Sequence, residues 1–337
     1  MYDIVAIGEL LIDFAPGGET SDGTALFERN PGGAPGNVLA LAAKLGKKTA
    51  LISKVGEDQF GRFLTEVLKN IHVETKGLVH TKDANTTLAF VHLDKSGDRS
   101  FSFYRKPGAD MLLDKSEVDV SLVKNCRIFH FGTVSLTDNP SREATLFAVK
   151  TAKENGAIIS FDPNLRPPLW NSLEDAKSMI EEGLQYAHIL KVSNEELEFI
   201  TGEKELDVGA EYIKDKYGIG VILVTLGPSG CYYKIGEFSG ILPAYDVRTV
   251  DTTGAGDAFL GAFLYQVIES GKELAALEKD KIERMIDFAN AAGSLATIRK
   301  GAIPAMPTLE ELLECQRSNP KLRAMAWDSG LDSSSSI

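Results

Sequence analysis

Cysteine is scarce in this chain, and basic residues are outnumbered. Three cysteines, Cys126, Cys231 and Cys315, are spread over 337 residues with no C-x-x-C pair. An odd, widely spaced set argues against a disulfide framework and fits buried, reduced thiols. No apolar run approaches the ~20 residues that a membrane span needs. The opening "MYDIVAIGE" has no basic n-region and no cleavage site, so a cytoplasmic location is expected. Lys plus Arg number 36 against 48 Asp plus Glu, a formal charge of −12. That balance argues against a general nucleic-acid or anionic-membrane surface but leaves room for an anion in a locally positive pocket. Two common nucleotide devices are also missing. There is no G-x-x-x-x-G-K-[ST] loop, and no G-x-G-x-x-G opens a helix after the first strand.

What is present alternates. Apolar strand-like runs at 3–8, 48–56, 127–134, 157–162, 188–193 and 220–227 are separated by helical spacing at 37–46, 60–71, 141–155, 173–186, 194–201 and 209–217. Strands apolar on both faces, interleaved with helices, imply a mostly parallel sheet covered on both sides, an α/β fold. Two segments break the rhythm. "TTLAFVHLDKSGDRSFSFYR" (86–105) reads as a hairpin turning at "DKSGD", and the irregular stretch 14–33 adds one or two strands. Together they suggest a small β-lid, inserted at about 14–31 and 86–107, in one domain spanning 1–315. The tail 316–337 lacks periodicity and ends in a serine run, so it is expected to be disordered.

The most informative stretch is "DTTGAGDAF" (251–259), which opens the run "AFLGAFLYQVIESG". The first turn of a helix offers unpaired N–H groups and the positive end of the dipole. Gly254 and Gly256 would let an anion sit directly against those amides. Asp257 then either caps its own helix or takes a proton from a hydroxyl attacking a phosphoryl group. A second glycine cluster, "NPGGAPGN" (30–37), precedes another helix start. Asn37 there is either an N-cap or a ligand to hydroxyls. Asp13 follows the first strand, where open α/β sheets bind ligands, and is equally readable as a turn residue.

"PGGAPGN" and "DTTGAGDAF" together closely resemble the two signatures of the ribokinase-like (phosphofructokinase-B type) sugar kinases. The resemblance covers about residues 1–313. "FYRKPGADMLL" (103–113), "DPNLRPPLW" (162–170), "VSNEELEFITG" (192–202), "VTLGPSGCYY" (224–233) and "FANAAGSLATIRKGAIPAMPT" (288–308) look like the fructokinase group within it. The resemblance implies a Rossmann-like body with a β-lid and an ATP-dependent transfer of phosphate to D-fructose. It makes Asp257 the base and Gly254, Ala255 and Gly256 the anion hole. Asp13, Gly33, Asn37, Arg105 and Arg166 match positions that hold the sugar. Ser193, Thr225, Gly227, Gly230 and Asn290 match the nucleotide site, with Ala291 and Met306 as apolar walls or core.

Glu196 matches the acid of an N-x-x-E motif that places Mg²⁺ through water, although Ser193 replaces its Asn. Asp251, Thr253, Ala296 and Gly301 match a potassium site. The resemblance further implies a homodimer formed through the β-lid, where strand 87–93 would offer a pairing edge. A 2-keto-3-deoxygluconate kinase is the nearest alternative. A catalytically silent sugar-binding protein is a more distant one.

Overall fold

The computed structural model describes residues 1–93 and 99–322. Its strands are β1 (Tyr2–Ile7), β2 (Leu11–Glu19), β3 (Ala25–Gly32), β4 (Thr49–Gly56), β5 (Val73–Glu74), β6 (Leu78–Thr81), β7 (Leu88–Leu93), β8 (Arg99–Tyr104), β9 (Cys126–Phe131), β10 (Ile158–Phe161), β11 (Ile189–Ser193), β12 (Val221–Thr225), β13 (Cys231–Ile235) and β14 (Phe238–Leu242). Its α-helices are α1 (Ala34–Lys44), α2 (Gln59–Asn70), α3 (Val120–Lys124), α4 (Ser141–Glu154), α5 (Leu173–Leu184), α6 (Asn194–Thr201), α7 (Leu206–Tyr217), α8 (Ala255–Ser270), α9 (Lys279–Ala296) and α10 (Leu309–Ser318).

The large sheet runs β14-β13-β12-β11-β10-β9-β1-β4-β5, with β6 also paired to β4. It is parallel except for β13 and β14. Both faces of its strands are buried, as the apolar runs required. Ile4, Ala6, Leu51 and Leu223 pack with α1, α8 and α9. Val5, Ile7, Ile52, Phe129, Leu190 and Val192 pack with α4 to α7. α8 is not amphipathic: Asp257 through Tyr265 are all buried, because the helix lies between α1 and α9.

The β-lid is a separate sheet of order β3-β2-β7-β8. The irregular stretch therefore supplies two strands, β2 and β3, kinked by a bulge at Pro16/Gly18. The expected 86–105 hairpin is β7 and β8, paired antiparallel. Its "DKSGD" turn lies outside the described residues. β7 is interior, so the lid's edges are β3 and β8 rather than the 87–93 segment.

At the C-terminus α10 runs through Ser318, and Lys321 bridges Tyr245. Residues 316–322 are thus built onto the body, whereas the rest of the expected disordered tail lies outside the described residues. No helix among the described residues is long and apolar enough to cross a membrane.

Candidate active site

The site gathers at the C-terminal ends of the parallel strands, where α8 points its first turn at the lid. Gly254 caps α8 with φ +77° and no side-chain cap bond. Only glycine adopts that angle without strain. A side chain there would also meet Ala302, since a Cβ would lie 2.7 Å from the Ala302 Cβ. Asp257 therefore is not the cap of its own helix. The Ala255 N–H donates to the Thr252 carbonyl at 3.2 Å, so that amide is already engaged. The Gly256 and Asp257 amides, next in the first turn, have no intrahelical acceptor, and both residues line the cleft.

Asp257 is 8% exposed and accepts a 2.7 Å hydrogen bond from Asn37 Nδ2. Burial, then the negative charge of Asp162, push its carboxyl up to about 6; the Asn37 bond, Lys191 and Arg166 pull the other way. Asn37 is not an N-cap either. α1 begins three residues earlier at Ala34, behind Gly33 and with Pro35 in its first turn. Gly33 has φ +114°, and a Cβ there would lie 2.4 Å from the Glu9 carbonyl oxygen. The crowded glycine turn thus places Asn37 on the buried face of α1, opposite α8.

Asp257, Asn37, Gly33, Asp13, Arg166, Gly254 and Gly256 share a cleft of about 370 Å³ with Glu9, Asn164, Lys191, Phe101 and Phe103. Asp13 is carried by β2 of the lid. Burial pushes its carboxyl up to about 7, against the pull of Arg166. Burial also pushes Glu9 up to about 7, while its Oε1 accepts the Ala34 N–H at 2.8 Å. Two buried acids, Glu9 and Asp257, and the half-buried Asp13, with Arg166 and Lys191 as the cations, make a cleft rich in acceptors, suited to a ligand with many hydroxyls.

A second cavity, about 230 Å³, is lined by Thr225, Gly227, Gly230 and Asn290 together with Tyr245, Val247, Ala255 and Phe259. Asn290 Nδ2 donates to the Leu242 and Pro243 carbonyls, which fixes the wall that follows β14. The two cavities share Thr252 and Gly256. They meet at the first turn of α8.

Two expected positions do something else, and two more are settled as core. Arg105 is not among the residues lining the sugar-sized cleft. It is 4% exposed, with Nε on Asp110 at 2.8 Å, one terminal nitrogen on Thr137 Oγ1 and the other on the Val134 carbonyl. Three of its five N–H donors hold a buried network around Asp110, which is 5% exposed and needs a cation, and Arg105 lines a neighbouring cavity of about 550 Å³ with Phe101, Phe103 and Leu169. Ser193 does not line the second cavity. It caps α6, accepting the Glu196 N–H, while Glu196 Oε2 accepts the Ser193 N–H in return. Ala291 and Met306 are fully buried core.

Three of the four expected cation residues, Asp251, Thr253 and Gly301, are joined by hydrogen bonds. Asp251 accepts the Thr253 and Gly301 N–H groups, each at 2.9 Å, and the Val250 and Asp251 amides donate to the Thr297 carbonyl just past Ala296.

Sequence reasoning missed three cleft residues. Glu9 closes the opening "MYDIVAIGE", unremarked. Asn164 has φ +47°, uncommon for a non-glycine and a mark of a constrained loop. Lys191 is a charge in the middle of the apolar strand "HILKVS", a signal that was there to be read.

Comparison with known proteins agrees with this geometry. Residues 1–309 match the family model described as pfkB family carbohydrate kinase. A fructokinase-1 from Oryza sativa subsp. japonica is 44% identical over 320 residues, covering 94% of this chain and 98% of the relative. A crystal structure of a fructokinase with bound ATP from Xylella fastidiosa superposes with a TM-score of 0.86 at 34% identity, covering 94% and 99%. A double-mutant fructokinase from Vibrio cholerae O395, bound to fructose, ADP and potassium ion, gives 0.84 at 31%, covering 94% and 98%. With its glycine-capped anion turn, its acid and its lid in place over 1–309, the chain belongs to the pfkB family of carbohydrate kinases.

Proposed function

We infer that the chain is an ATP-dependent fructokinase, converting D-fructose to fructose 6-phosphate. One observation carries this: an acceptor-rich cleft and a nucleotide-sized cavity meet at the first turn of α8, where Asp257 stands. In the reaction, Asp257 takes the proton of the fructose 6-hydroxyl. That oxygen bonds to the γ-phosphorus as the bond to the β–γ bridging oxygen breaks, and ADP leaves. Asn37 holds the carboxylate in place. Amides at the start of α8 face the charge on the phosphoryl group as it moves. Asp13 and Arg166 would grip the other hydroxyls.

Mg²⁺ fits this donor set as a partner of phosphates and water. No cluster of three or more metal-ligating side chains occurs among the described residues. Glu196 is half-buried, and each of its oxygens accepts one backbone N–H, from Leu165 and from Ser193. A carboxylate so held keeps lone pairs for a metal-bound water. The ion would neutralise charge on the triphosphate. Potassium beside Asp251, Thr253, Ala296 and Gly301 belongs to the same reading.

The keto-acid alternative fares worse. A carboxylate substrate would meet three acids, Glu9, Asp13 and Asp257, against two cations, Arg166 and Lys191, the latter already paired with Asp162, and Arg105 is paired with Asp110. Coupled measurement of ADP release with each purified substrate decides the matter. Turnover of 2-keto-3-deoxygluconate with fructose inert overturns the inference. Arg166→Ala is expected to raise the KM for fructose by about tenfold or more while changing kcat by less than about threefold, the pattern of a lost ground-state contact. An unchanged KM would remove Arg166 from the sugar's contacts.

The partner in this reading is a second copy, seated on the outer face of the lid, and the compartment is the cytoplasm. Three buried free thiols fit that compartment. Phe14, Phe27, Phe90 and Tyr104 form an aromatic cluster on the outer face. Phe27 is 43% and Tyr104 66% exposed, which is much apolar surface to leave in water. Phe27→Glu with Tyr104→Glu should sediment as a monomer where the parent sediments as a dimer. A parent that is itself monomeric at micromolar concentration refutes the arrangement.

A further inference from the structure

Lys191 is the charge that the kinase chemistry described above leaves unused. It sits in the middle of β11, flanked by Leu190 and Val192, and is 7% exposed. Its Nζ donates to Asp162 Oδ2 at 2.9 Å, and Asp162 is 2% exposed. Asp162 is steadied in turn by the Asn164 N–H at 3.2 Å.

The lysine's stem carries its ammonium to the underside of the α8 turn. A Cβ on Gly256 would lie 2.9 Å from that Nζ. Gly256 is one of the two residues lining both cavities, and Lys191 itself lines the sugar cleft. An ammonium has three N–H donors. Asp162 takes one of them, and the ammonium lies beside Gly256, where the two cavities meet.

We propose that Lys191 is a further catalytic residue, whose ammonium hydrogen-bonds a non-bridging oxygen of the phosphoryl group during its transfer to the sugar. The proposal rests on the fructokinase reading and deepens it. Three observations support it. The ammonium is placed beside the amides that meet the same phosphoryl group. It is a buried cation beside three acids, Asp257, Asp162 and Glu196, and shares the cleft's positive charge with Arg166 alone among the lining residues. And glycine at 256 keeps its approach open, since any side chain there would have to displace it. Burial pulls its proton affinity down, but Asp162 first, then Glu196 and Asp257, outweigh that and hold it charged. No proton moves through Lys191; its contribution is to charge that grows on the transferring group.

The bland explanation is that Lys191 only neutralises Asp162. Three proteins separate the two: Lys191→Met, Asp162→Asn with Lys191→Met, and the parent. The double variant removes both members of the buried pair, so it keeps its fold where the single variant is left with an unpaired acid. We expect kcat to fall about 10²–10³-fold in both variants, the usual order for one lost electrostatic donor, with KM for fructose and ATP within about threefold.

A second measurement does not depend on turnover. Titration with ADP, magnesium, aluminium fluoride and fructose traps a mimic of the phosphoryl group in flight. The parent should bind this mixture far more tightly than ADP and fructose alone, and both variants should lose most of that difference. Recovery of parental kcat in the double variant, or undiminished trapping, overturns the role of Lys191. A parent that does not phosphorylate fructose overturns the fructokinase reading instead, and the two failures are told apart by that one control.

Discussion

Asp257→Asn is expected to cost roughly 10²–10⁴ in kcat, the range for removing a positioned general base. Fructose binding should survive, because the amide keeps the shape and still faces Asn37. Isothermal titration with fructose measures the binding, and a coupled assay the rate. The pH profile gives a second check. The base works only when ionised, and burial holds its carboxyl at about 6. Activity of the parent should therefore fall as the pH drops through about 6, approaching a tenfold loss per pH unit below it. The sign follows from the group being an acid with a raised proton affinity: protonation silences it earlier than an ordinary aspartate. The residual activity of Asp257→Asn should lack that limb. Near-parental turnover in the variant would remove Asp257 from the chemistry.

Arg105→Met should unfold the protein more readily rather than weaken sugar binding. Removing the guanidinium leaves Asp110 buried beside Thr87 with no cation, while the Thr137 hydroxyl keeps its bond to the Val134 carbonyl. Breaking one side of a buried pair costs about 3–5 kcal/mol, which corresponds to roughly 10 °C in melting temperature for a chain of this size. Arg105→Met with Asp110→Asn should regain more than half of that loss, since the uncompensated charge is gone. A single variant with parental melting and a raised KM for fructose would return Arg105 to the sugar-binding set.

Local spacing made the centre of the site legible. The glycines and acid of "TGAGD" lie within one helical turn, so their joint geometry can be worked out from their order alone. The parallel sheet was legible for a similar reason, because burial on both faces imposes continuous apolar strands. What escaped depends on partners far along the chain. Asn37 looked like a cap because its true partner, Asp257, is 220 residues away. Arg105 looked like a ligand because Val134 and Thr137 come close only after folding. Ser193 kept a capping duty that a motif comparison could not distinguish from a phosphate contact. β13 and β14 were missed because they turn back on each other through Gly236, breaking the strand–helix alternation that organised everything before them.

The strand that bears Asp13 belongs to the small sheet, whereas Asn37 and Asp257 sit on α1 and α8, helices packed on the large one. A hexose held by all three is therefore a strut between two separately built pieces. An empty site has no such strut, so the angle between the sheets and the alignment of the reacting alcohol are one variable. A molecule lacking the hydroxyl that Asp13 grips would then suffer at the distant carbon being phosphorylated, even though nothing there had changed.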